Sequence, residues 1–171
     1  MFVYLHGFNS SPQSFKARAL DRRLTELGRS GELVAPALSH QPLEAIAAAE
    51  ALLEGHDPKK VTLIGSSLGG HYATWLAERH GLRAVLVNPA IRPHVLLASV
   101  LGPQQNLYSG ERYELTAAHL DELRALDVEA ITRPQRYLLV VATNDEVLDS
   151  RVALERFRGA ATLVHEGGDH G

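Results

Sequence analysis

The sequence predicts an α/β protein: about six mainly parallel strands with helices on both faces. Three observations predict it. Short apolar runs alternate along the 171 residues with longer stretches of helical periodicity. These runs are apolar throughout rather than at every second position, as in strands buried on both sides. Residues 61–71, Val-Thr-Leu-Ile-Gly-Ser-Ser-Leu-Gly-Gly-His, read as a buried strand, a tight turn and a helix.

Residues 2–5 form the first expected strand, running into His6-Gly7-Phe8-Asn9-Ser10-Ser11-Pro12, a loop with turn chemistry throughout. Ser11 with Pro12 predicts a helix start, and Phe15, Ala19, Leu20, Leu24 and Leu27 carry its apolar face to a stop at Gly28. A second strand over 33–38 contains Pro36, which implies an edge position or an early end. Pro42 opens a helix that stops at Gly55, and the Ser67 turn opens another that ends at His80 and Gly81. Residues 84–87 and 137–142 are further strands. Between them, 106–113 reads as an exposed, turn-rich excursion, and Thr116 as the cap of a helix through Leu120, Leu123 and Leu126. A short helix with Val152, Leu154 and Phe157 and a strand over 161–165 complete the set. One domain spanning 1–171 is expected, with a small lid or wall at about 91–134.

Composition excludes several function classes. The net charge of −3 gives no electrostatic footprint for nucleic acid or an anionic membrane, so neither partner is expected. No cysteine is present, which removes disulfides and thiolate chemistry and fits a cytoplasmic setting. The first residues show no basic leader and too short an apolar run for a signal peptide, so the fold is expected to start at residue 1.

Gly65-Ser66-Ser67-Leu68-Gly69 is a Gly-x-Ser-x-Gly pattern centred on Ser67. A sharp strand-to-helix turn brings backbone against backbone and leaves no room for a Cβ on either side. It lifts the serine oxygen above the sheet, beside the unpaired first amides of a helix. The rival reading is a phosphate-cradling turn, but no Lys follows the glycines. Loops after strands in a parallel sheet share one edge, where ligands bind. That edge collects His6 to Phe8, Ser67, Asp145 and His170. Their chain order, Ser then acid then His, is that of the α/β hydrolases rather than of the chymotrypsin or subtilisin types.

Tyr4 to Pro12, Gly65 to Gly70, Asn88-Pro89-Ala90, Asn144 to Asp149 and Gly167 to His170 resemble the small YqiA-type, UPF0227-like esterases of the α/β-hydrolase superfamily. The resemblance covers nearly the whole chain. It implies a reduced α/β-hydrolase fold and a serine hydrolase of carboxylic esters or thioesters. Ser67 would be the nucleophile, Asp145 the acid and His170 the base, with the Phe8 and Leu68 backbone amides as oxyanion hole. A small-molecule ester or thioester is then the partner. No cofactor and no metal are implied, and a zinc site from His165, Asp169 and His170 lacks ligand spacing. An acyltransferase with the same triad, and a non-catalytic binding protein on a hydrolase scaffold, stand as alternatives.

Rival residues remain open at two positions. Asp149 competes with Asp145 for the acid, but it precedes a helix where an Asp caps backbone amides, a duty Asp145 lacks. His165 competes with His170, but it lies within a strand. His6 is expected to bond loop backbone, and His71 to pack or to line the site. His6, Asn9, His71 and Asn88 are the candidate substrate contacts. The resembled family usually has a closing helix after the His, whereas only Gly171 follows His170. The last strand is therefore expected to leave an apolar face that further residues or a homo-oligomer partner would cover, and residues 166–171 to be the least ordered part of the site.

Overall fold

The structure, a computed structural model, describes residues 1–170; Gly171, the expected last restraint on the His170 loop, lies outside the described residues. Strand β1 (Phe2–Leu5) is followed by helix α1 (Phe15–Glu26). The cap of α1 is Ser14, whose Oγ accepts the Ala17 amide, and not Ser11, whose Oγ closes a local turn by accepting the Gln13 amide. The helix therefore begins one turn later than the Ser-Pro pair predicts. Strand β2 (Leu33–Val34) stops short of Pro36, which has no N–H to give a ladder. Helix α2 (Pro42–Leu53) starts at its proline, and β3 (Thr62–Ser66), α3 (Leu68–His80) and β4 (Arg83–Val87) follow, with Gly81 ending α3 at φ 69°.

A short helix α4 (Pro93–Leu96) leads to a hairpin of β5 (Gly102–Gln105) and β6 (Arg112–Leu115), then to α5 (Ala117–Ala125). Strand β7 (Tyr137–Ala142), α6 (Ser150–Arg156) and β8 (Ala161–His165) complete the chain. The main sheet has six strands, all parallel, in the order β2-β1-β3-β4-β7-β8. The fold is that of the α/β hydrolases, as the sequence predicts.

Residues 106–113, read as an exposed excursion, prove to be the tip and the start of the second strand of that antiparallel hairpin. Its exposed tip is anchored at the base. Tyr113 donates from its hydroxyl to Asn9 Oδ1 at 2.7 Å and stacks its ring on His40 at 4.2 Å between centroids. The Asn9 amide nitrogen in turn donates to Gln104 Oε1 at 3.1 Å.

Strand alternation divides the core in two. Val3, Leu5, Leu63, Leu86 and Leu139 pack with Leu76 and Ala73 of α3, Ile46 of α2 and Phe157 beside α6. On the opposite face Tyr4 and Ile64 pack with Ala17 of α1. Among the described residues that second cover ends before β7 and β8. Leu138 and Leu163 lie on the uncovered side, and all five residues of β8 are exposed. Among the described residues no helix is long and apolar enough to cross a membrane.

Candidate active site

Steric exclusion builds the turn after β3. A Cβ on Gly65 would lie 2.3 Å from the Gly69 carbonyl oxygen, and one on Gly69 would lie 1.9 Å from that of Leu5. Neither position tolerates a side chain. Between them Ser67 adopts φ 54° and ψ −120°, a backbone conformation that costs a non-glycine residue about 1–3 kcal/mol. The turn is fixed by the Ser67 amide donating to the Val87 carbonyl at 3.1 Å and by the Ala90 amide donating to the Ser67 carbonyl at 3.0 Å. Serine is thus held at the carboxyl edge of the sheet at the head of α3.

The loops after β7 and β8 bring two more side chains to it. His170 Nε2 lies 3.1 Å from Ser67 Oγ, and His170 Nδ1 lies 2.7 Å from Asp145 Oδ2. The Asp145 side chain is 2% exposed and the His170 ring 22%. The other Asp145 oxygen accepts the Val147 and Leu148 amides at 2.8 and 2.7 Å. Asp145 thus does carry backbone duties, contrary to the sequence argument, but one oxygen discharges both and the other stays aimed at the imidazole. Asp149 caps α6 by accepting the Arg151 amide at 2.9 Å and pairs with the Arg151 guanidinium. His165 sits on exposed β8, where its carbonyl accepts the Thr143 amide.

The His170 loop is held from three sides. Its carbonyl accepts from Lys16 Nζ at 2.9 Å, its amide donates to Glu146 Oε2 at 3.2 Å, and Asn88 Nδ2 donates to the Asp169 carbonyl at 3.3 Å. Asn88 Oδ1 also accepts the Ala142 amide at 2.8 Å, so this buried side chain ties β7 to the loop after β8. Gly7 presses on the serine, since a Cβ there would lie 3.2 Å from Ser67 Cβ. Phe8, the next residue, lines the cleft beside Ser67. Leu68 opens α3, where the first amides lack intrahelical partners, and neither the Phe8 nor the Leu68 amide donates to a backbone carbonyl among the described residues.

A cleft of about 420 Å³ opens over Ser67 and His170. Phe8, Phe15, Pro93, Leu96, Leu97, Tyr108, Val147 and Leu148 are among the residues that line it. Pro93, Leu96, Leu97 and Tyr108 come from the segment expected as a wall.

The four expected substrate contacts are not among the residues lining this cleft. His6 spends both ring nitrogens on backbone, Nδ1 on the Gly7 carbonyl and Nε2 on the Leu38 amide, and burial pushes its pKa down. Asn9 holds the hairpin and Asn88 the His170 loop. His71 is buried, with Nε2 on the Leu123 carbonyl at 3.2 Å and Nδ1 3.9 Å from Asp127. Burial lowers its pKa to about 4, against the opposing pull of Asp127. A proton excluded from the folded state makes acid destabilising. The stability His71 contributes is complete above its unfolded pKa of about 6.5 and is lost as pH falls towards 4. Urea unfolding is expected to show a loss of about 3 kcal/mol over that window, from a shift of this size. In His71→Gln the loss shrinks; an unchanged slope would assign it to other groups.

The whole chain, residues 1–171, matches the model of the uncharacterised protein family UPF0227. The chain belongs to that family. Its fold is shared by an Agrobacterium vitis S4 protein at 21% identity and TM-score 0.76, with 99% of this chain and 80% of that one aligned. Mouse alpha/beta hydrolase domain-containing protein 10 follows at 17% identity and TM-score 0.74, covering 99% of this chain and 81% of its own. The Paleococcus ferrophilus monoacylglycerol lipase aligns at 19% identity and TM-score 0.66, over 99% of this chain and 85% of that one.

Proposed function

We propose that this protein is a serine hydrolase that cleaves carboxylic ester or thioester bonds through an acyl-enzyme. The observation that carries the reading is the unbroken relay Asp145–His170–Ser67, with contacts of 2.7 and 3.1 Å, whose Ser67 and His170 line an apolar cleft.

A serine hydroxyl is a weak nucleophile at neutral pH, so the reaction needs a base in place before attack. With Nδ1–H donated to Asp145, the free lone pair of His170 is on Nε2 and faces Ser67 Oγ. As Oγ bonds to the substrate carbonyl carbon, its proton passes to Nε2 and negative charge moves to the carbonyl oxygen. The buried Asp145 carboxylate stabilises the imidazolium. The Phe8 and Leu68 amides would receive the oxyanion, one such donor being worth about 3 kcal/mol. Collapse expels the alcohol or thiol, which takes the proton from Nε2 and leaves an ester on Ser67. Water, deprotonated by His170, then releases the carboxylic acid and restores the serine.

The apolar wall of Pro93, Leu96 and Leu97 suits an acyl chain, and each buried methylene contributes about 0.8 kcal/mol. The test is a panel of p-nitrophenyl esters from acetate to dodecanoate. The expected result is turnover with kcat/KM rising over the first few added carbons, up to about fourfold each. Absence of turnover above the buffer rate for every ester would reject the reading. The lipase named among the structural relatives lends support, as do the site's competent residues at all three positions.

A further inference from the structure

Resting on that reading, we propose that Lys16 determines specificity by binding an anionic group on the alcohol or thiol part of the substrate. The preferred substrates are then esters or thioesters whose leaving group carries a carboxylate or phosphate.

Lys16 is the second residue of α1 and lines the same cleft as Ser67 and His170, half-buried. Among the described residues lining that cleft it is the one lysine or arginine, and no Asp or Glu lines it. An anion entering the cleft therefore meets one fixed positive charge on its walls, and the Asp169 and Asp145 carboxylates that act on Lys16 are not among the lining residues.

The position is electrostatically unfavourable for a lysine. The first turn of a helix disfavours a cation, since the amides there already carry partial positive charge, and α1 has no acidic residue in that turn to offset it. Burial adds a second penalty and pulls the Lys16 pKa down, with Asp169 and Asp145 drawing it part of the way back. A solvent-facing position would remove the burial cost. Arg18, two residues on, takes such an exposed position.

Attachment to the His170 backbone ties the charge to the residue that protonates the leaving group. Nζ donates to the His170 carbonyl at 2.9 Å, which uses one of three ammonium hydrogens. The leaving heteroatom has to reach Nε2 of that same residue to collect its proton. A group extending beyond the leaving atom is thus assigned to the Lys16 side of the cleft, and the acyl chain to the apolar wall of Pro93, Leu96 and Leu97.

Three esters separate this role from a purely structural latch on the His170 loop: phenyl butyrate, 4-carboxyphenyl butyrate and monophenyl glutarate, the last with its charge on the acyl side. Each is assayed with wild type, Lys16→Met and Lys16→Arg. The kcat/KM ratio of 4-carboxyphenyl to phenyl butyrate is expected to fall about tenfold in Lys16→Met, mainly through KM, and to survive in Lys16→Arg. The ratio for monophenyl glutarate to phenyl butyrate is expected to stay level. A latch alone would lower all three esters together and keep both ratios, which would overturn the proposal. Wild type provides a reading that does not depend on any variant folding: raising NaCl from about 20 to about 500 mM, which shortens the screening length roughly fivefold, should lower the first ratio several-fold. A salt-independent ratio would also overturn it. Failure of wild type to hydrolyse even phenyl butyrate would instead reject the hydrolase reading itself. Replacing the carboxylate by a phosphate on the same ring distinguishes which anion the site prefers.

Discussion

Ser67→Ala is expected to abolish ester hydrolysis while leaving the fold intact. The hydroxyl takes part in the contact to His170 and faces the cleft, so its loss opens no cavity in either core cluster. What would remain is binding and the proposed oxyanion donors, and loss of a serine nucleophile from a site of this kind costs about 10⁴–10⁶ in kcat. Activity above a few per cent of wild type would remove Ser67 from the nucleophile role. The same position offers an independent stability reading. At φ 54° the serine pays for a conformation that glycine adopts freely, so Ser67→Gly is expected to be more stable than wild type by about 1 kcal/mol and equally inactive. Chemical denaturation of the three proteins measures this.

Asp145→Asn carries the second large effect. An amide in place of the carboxylate still offers an oxygen to the Val147 and Leu148 amides, but presents no charge to His170 and can turn its tautomer the wrong way. A loss of about 10³–10⁴-fold in kcat is expected, with little change in KM. Asp149→Asn is expected to keep nearly full activity and to lower the melting temperature by a few degrees, since it loses the guanidinium pairing with Arg151 and weakens the cap of α6. The reverse pattern would move the acid to Asp149.

The elements that bear the candidate triad were legible because each is a local signal at a strand end. Two glycines flanking Ser67, an apolar strand before it and an apolar helix after it leave one conformation open, and parallel topology gathers the strand ends at one edge. Long-range polar bonding was not legible. Asn9 and Asn88 carry turn chemistry in sequence, but the distant partners that engage them, Tyr113 and Gln104 for one and Ala142 and Asp169 for the other, leave no local trace. The β5–β6 hairpin was hidden because Gly102, Pro103 and two glutamines give β5 neither a β-branched run nor an apolar alternation. Lys16 was hidden for a related reason: a lysine near a helix start reads as solvated until the His170 loop is folded onto it. The Asx-type bonding of Asp145 leaves only a weak sequence signal, because no regular helix follows it as α6 follows Asp149.

The most direct measurement of the central claim is labelling by a fluorophosphonate, which bonds covalently to a serine only when a neighbouring base has activated it. Wild type is incubated with the probe, and the adduct is located by peptide mass spectrometry. One stoichiometric adduct on the peptide carrying Ser67 is predicted, absent in Ser67→Ala and strongly slowed in Asp145→Asn. A wild-type protein that stays unmodified, or that is labelled at another serine, would contradict the account.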